Sequence, residues 1–162
     1  MPDKPVIVNN TPLVAFWAIG RLDILRSLFD EILIPAAVRD EFLATEKESR
    51  RRTLREESWI RVVEVQNPRR TQSFVGLDTG ETEVLVLAEE QGASLVLIDE
   101  RKARRFAERM GLPLSGTLGV LLLAKEEKVI SAIAPVLRKI QEAGLYFHSE
   151  LIERVLQLAG EK

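Results

Sequence analysis

Three short apolar runs stand out along the chain, Val6-Ile7-Val8, Ile32-Leu33-Ile34 and Leu95-Val96-Leu97-Ile98, with a looser run from Ile60 to Val65. None alternates with polar residues, and runs this short without alternation suit strands covered on both faces. Longer stretches with helical spacing separate them: Pro12 to Ile19, Arg21 to Phe29, Pro35 to about Arg55, Thr79 to Gln91 and Glu100 to Met110. A very short fifth strand is expected at Leu112-Pro113-Leu114. Helices follow at about Leu118 to Lys128, Ser131 to Ala143 and Ser149 to Leu158. The alternation of strand and helix predicts right-handed βαβ crossovers and a parallel sheet of about five strands, hence an α/β fold.

Helix boundaries carry their own signals. Thr11 precedes Pro12 as a cap, Pro35 opens a helix after a strand, and Asp78 stands three residues before Glu81 in capping-box spacing. Gly92, Gly111, Gly144 and Gly160 fall where helices should stop. Boundaries and apolar periodicity therefore agree, which is the mark of a sequence that specifies one fold.

Composition narrows the class without changing the picture. A length of 162 residues suits one domain over 1–162, and 46% hydrophobic with 30% charged residues is a globular balance rather than a disordered one. The absence of cysteine removes disulfides, thiolate nucleophiles and cysteine-based metal sites, and suits a reducing cytoplasm. Met1-Pro2-Asp3-Lys4-Pro5 is short and polar, so neither a signal peptide nor a membrane anchor is expected. A net charge of −2 argues against a protein that coats nucleic acid. Local basic paths remain open at Arg50-Arg51-Arg52, Arg69-Arg70, Arg101-Lys102 and Arg104-Arg105, each equally readable as a solvated helix face.

In open parallel sheets, ligands bind beyond the carboxyl ends of the strands, near the point where strand order reverses. The residues just after the strands here are polar: Asn9-Asn10-Thr11 after the first and Asp99-Glu100 after the fourth. Glu41 lies on the helix after the second, and Glu81 opens the helix before the fourth. Such oxygen-rich sets suit magnesium or manganese, which can activate water for attack on a phosphodiester.

Each position also has a plain structural account. Asp99 could cap the helix beginning at Glu100, Glu81 could close a capping box with Asp78, and Glu41 could be an exposed helix glutamate beside Asp40. Asn9-Asn10 makes a good turn, and Thr11 a good cap. His148, the only histidine, precedes the expected cap Ser149 and suits structure or surface. Trp17 and Trp59 lie in apolar segments and suit core or interface. Leu118 to Leu123 suits core, with any exposed remainder offering a dimer face. No nucleophile-elbow serine or P-loop lysine is present.

Five elements together resemble the PIN-domain family, in particular a prokaryotic branch of PIN-like nucleases. They are Val6 to Leu13, Ile32 to Val38 with Glu41, Leu77-Asp78-Thr79-Gly80-Glu81, Leu95 to Arg101, and Gly116 to Leu121. The resemblance runs to about Gly160. It implies a three-layer α/β/α domain with strand order 3-2-1-4-5, a Mg2+- or Mn2+-dependent ribonuclease centre and frequent homodimers. Many relatives are toxins of type II toxin–antitoxin pairs, which implies an RNA substrate and an antitoxin partner.

Carried over position by position, the family's second, third and fourth carboxylates fall on Glu41, Glu81 and Asp99. The first, an aspartate four residues before a leucine, falls on Asn9, with Leu13 in the leucine place. Thr11 matches a hydroxyl position that supports the metal or the scissile phosphate. Asn9, Glu41, Glu81 and Asp99 are thus the expected metal ligands, with Thr11 beside them. Asparagine contributes an amide oxygen but no charge and no base. A rival expectation follows: a catalytically impaired RNA- or protein-binding module that has lost activity with its first carboxylate. A third is a subunit working chiefly through protein partners.

Overall fold

A computed structural model describes residues 4–162; Met1, Pro2 and Asp3 of the polar amino terminus lie outside the described residues. Five strands form one all-parallel sheet: β1 (Val6–Val8), β2 (Ile32–Pro35), β3 (Ile60–Val63), β4 (Leu95–Leu97) and β5 (Leu114–Ser115). Their order is β3-β2-β1-β4-β5, as the family resemblance implied. The expected fifth strand is present but displaced, because Val96 and Leu97 pair with Leu114 and Ser115.

Nine α-helices among the described residues cover the sheet: α1 (Asn10–Ala18), α2 (Leu22–Phe29), α3 (Ala36–Phe42), α4 (Lys47–Glu56), α5 (Thr79–Gln91), α6 (Arg101–Arg109), α7 (Thr117–Glu126), α8 (Ile133–Glu142) and α9 (Ser149–Leu158). A 3-10 helix spans Pro68–Ser73. Helix α7 packs against α1, α2, α8 and α9, while α5 packs against α3 and α6. The result is a three-layer α/β/α fold. The three runs Val6–Val8, Ile32–Ile34 and Val96–Ile98 are at most 3% exposed, as strands covered on both faces should be. Val84 to Ala88 of α5 are wholly buried, as befits a helix apolar nearly all round.

The Asp78–Glu81 capping box forms in full, and α5 ends on Gly92 at a φ of +61°, where a side chain would be strained. Gly111, Gly144 and Gly160 also take positive φ at helix ends. Three other boundaries differ from expectation. The helix expected from Pro35 to Arg55 is two, broken after Phe42, with Glu46 at a left-handed φ of +45°. Arg50 enforces the break: it is 7% exposed, lies over the rings of Trp17 and Phe42 at 4.6 and 4.9 Å, and donates to the Phe42 carbonyl at 2.9 Å. This arginine is therefore no solvated face. Helix α1 begins two residues early, at Asn10, so Thr11 lies inside it rather than capping it. The cap of α9 is His148, whose Nδ1 accepts from the Glu150 N–H at 3.3 Å, rather than Ser149.

Trp59 is buried and Trp17 packs edge-on against Phe42, so both tryptophans serve packing. Val120 and Leu121 are buried, and Leu122 and Leu123 pack against the core, so this stripe is spent on the fold. No helix among the described residues is long and apolar enough to cross a membrane.

Candidate active site

All five strands are parallel, so their carboxyl ends share one edge, and the order reverses between β1 and β4. Asn9 leaves β1 at that reversal. Its N–H donates to the Leu97 carbonyl at 3.0 Å, and its side chain is 6% exposed. Among the described residues its Oδ1 has no hydrogen-bond partner, and neither does the buried Oδ1 of Asn10. Buried amide oxygens without partners cost stability, so two beside the end of β1 mark a place that a water, a ligand or an ion would satisfy.

Glu41 sits in the last turn of α3. That helix is held by Glu83 of α5, whose carboxylate accepts from the Ala37 N–H at 3.0 Å. A Cβ placed on Gly80 would lie 2.8 Å from Glu41 Oε1, so glycine there admits the carboxylate to the start of α5. Burial chiefly raises the Glu41 pKa; the charge of Asp78 adds to this, and a hydrogen bond from Asn10 opposes it. Glu81 is raised as well, first by burial, against its bond from the Asp78 N–H, and then by the charges of Asp78, Glu100 and Glu41. Glu81 is thus both a capping-box glutamate, at 3.0 Å from the Asp78 N–H, and a member of an acidic group with no cation against it.

Asp99 lies two residues beyond β4 and does not cap α6; Glu100 does, accepting from the Lys102 N–H at 3.1 Å. Asp99 instead accepts from the N–H of Thr117 at 2.8 Å and from its hydroxyl at 2.6 Å, at the opening of α7. Burial raises its pKa; the two bonds from Thr117 and the nearby Arg104 oppose that rise. Arg104 is anchored by donating to the Ile98 carbonyl at 2.8 Å. Gly116 leaves the space: a Cβ there would lie 2.5 Å from Asp99 Oδ1.

The structure therefore brings Asn9, Asn10, Glu41, Glu81 and Asp99 to one edge in two sets. Glu41 and Glu81 share a field with Asp78 and Glu100, and Asp99 is held apart by Thr117 and Arg104. Among the described residues no three acidic or imidazole groups converge into a ready-made cage. Thr11 lies exposed in α1. Thr117, Gly116, Gly80 and Arg104 join the site without having been expected there, and Asn10, expected at this edge, joins it without having been expected as a ligand. Thr117 meets Asp99 across 18 residues, through a pairing of β4 with β5 that no local pattern announces.

The donor set fits a hard divalent cation that keeps most of its waters, since such an ion needs only one or two carboxylates and welcomes amide oxygens. Repelling carboxylates and two orphaned amide oxygens are what it would satisfy.

A five-stranded parallel sheet in this order, covered by helices on both faces, places the chain in the three-layer α/β/α class. A family model described as PIN domain matches residues 5–161, and the chain belongs to that family. No curated protein sequence matches it.

Proposed function

We propose that this PIN domain is a divalent-metal-dependent endoribonuclease, with Glu41, Glu81, Asp99 and the Asn9 amide oxygen as ligands of Mg2+ or Mn2+. The observation that carries the reading is the pair of buried oxygens, Asn9 Oδ1 and Asn10 Oδ1, unpartnered among the described residues and near Glu41 and Glu81, whose pKa values no neighbouring cation lowers. A cation there would supply electrophilic assistance to the phosphoryl oxygens and acidify water. The chain's own residues do the rest. Thr117 fixes the Asp99 carboxylate, Arg104 offsets its charge, and the Asp78 capping box fixes the Glu81 side chain. Thr11, exposed on the first turn of α1, stands ready to meet a phosphate.

RNA as substrate, a cytoplasmic toxin role in a type II pair with an antitoxin, and a homodimer belong to this proposal and are taken from the resemblance to the PIN-domain family. The rival reading, an impaired RNA- or protein-binding module, is favoured by one observation: Asn9 brings no charge to the innermost position.

Purified protein is incubated with structured RNA in manganese, magnesium or chelator, beside Asp99→Ala. Metal-dependent cleavage lost in the variant supports the nuclease. A well-folded protein that cleaves under neither metal moves the assignment to the binding module.

A further inference from the structure

Asp99 also lines a cavity of about 500 Å3, which neither Glu41 nor Glu81 reaches. Its polar side is Arg101, Arg104 and Arg105 of α6, three guanidiniums against the carboxylates of Asp99 and Glu108. Arg101 and Arg105 form no ion pair among the described residues. The opposite side is apolar: Phe147, Leu151 and Val155, spaced four apart along the start and first turns of α9. Leu151 is 52% exposed, although it faces a concave surface.

A cavity of this volume suits a small ligand. Unpaired guanidiniums favour phosphate, and a strip that begins with an aromatic ring favours a flat heterocycle. Both demands meet in one ligand, a nucleotide. A base stacked within a duplex has no free face to offer, so the base must be unpaired.

We propose that this cavity is a nucleotide subsite of the candidate active site, in which Arg101 and Arg105 take a phosphate and the Phe147–Leu151–Val155 strip takes an unpaired base. The proposal deepens the nuclease reading and rests on it for the identity of the strand. Substrate then enters the acidic edge single-stranded, with one base seated beside Asp99.

The test titrates the whole protein, in chelator, with adenosine 5′-monophosphate and with ribose 5-phosphate, and follows amide shifts by NMR. The nucleotide should bind about five- to a hundredfold more tightly than the abasic phosphate, the range one stacked base contributes. Leu151→Glu, a change at an exposed position, should remove that advantage while leaving the melting temperature in place. Arg105→Ala should weaken both ligands. Equal binding of the two ligands would overturn the base subsite. Binding of neither would overturn the proposal and leave a protein segment as the cavity's occupant. Chelator separates this result from the cleavage assay: nucleotide binding without cleavage would sink the nuclease alone, and cleavage without nucleotide binding would sink the subsite alone.

Discussion

Asp99 and Glu161 occupy the same kind of place at opposite regions of the molecule, and the protein treats them oppositely. Each carboxylate sits at the amino terminus of a helix to which it does not belong. Asp99 receives the N–H and hydroxyl of Thr117 at the start of α7, and Glu161 receives the N–H groups of Ile133 and Ala134 at the start of α8, at 2.6 and 2.9 Å. Burial pushes both pKa values upward. At Glu161 the two backbone bonds and Lys125, 3.1 Å away, outweigh it, and the pKa ends below the ordinary carboxylate range. At Asp99 burial prevails, and the pKa ends above it. One carboxylate is settled in its charged form; the other is held against its charge. Perturbation of the second kind clusters at functional sites, which is consistent with the role proposed for Asp99.

The contrast can be broken most sharply at Asp99. Asp99→Asn keeps acceptor and donor for Thr117 but removes the charge, so cleavage should fall by more than about a hundredfold, beyond what loss of a supporting partner costs. Its thermal stability should stay level or rise, because an unfavourably buried charge is gone. A clear drop in melting temperature would return Asp99 to the class of Glu161. Thr117→Val, which removes the 2.6 Å hydroxyl bond and leaves the N–H in place, should cost about ten- to a hundredfold in cleavage. Steady-state rates on a fixed RNA measure this.

Asn9→Asp sharpens the comparison from the other side. A carboxylate at a position 6% exposed should lower the melting temperature in chelator, and manganese should restore it. Roughly tenfold tighter manganese binding is expected from the added ligand charge, measured by calorimetry. If manganese has no effect on the melting of this variant, Asn9 does not face a cation.

Glu161→Gln gives the smallest effect, about 1 kcal/mol of stability, the usual worth of a helix cap. Its sign with pH follows from the depressed pKa. The stabilisation is complete above the ordinary carboxylate range, about pH 4 to 5, and is lost as pH falls through the lower folded value. Denaturant curves of the two proteins should therefore differ at neutral pH and converge in acid.

The central strands were legible because both of their faces are buried, so apolar runs at Val6, Ile32 and Leu95 needed no partner to be recognised. The acidic positions were legible as types and as an edge. What eluded the sequence was set by contacts between distant residues. The break after Phe42 lies among ordinary helix formers and exists because Arg50 turns back onto Trp17 and Phe42. Asp99 has the makings of a cap, yet a one-residue shift gives that task to Glu100 and frees Asp99 for Thr117. Glu81 closes the capping box and also lies within the acidic group of Asp78, Glu100 and Glu41, two placements that local spacing presents as rivals.

Asn9 and Asp99 come from neighbouring strands, β1 and β4, yet the chain between them must first lay down five helices and two further strands. Closing so long a loop is entropically costly, and non-local pairings of this kind slow folding. Until β4 docks, β1 has a bare edge and the two residues are strangers. The reversal point of the sheet is therefore where a long loop closes: the ends of β1 and β4 meet only once β4 has docked, and the candidate active edge has no existence apart from the closed sheet.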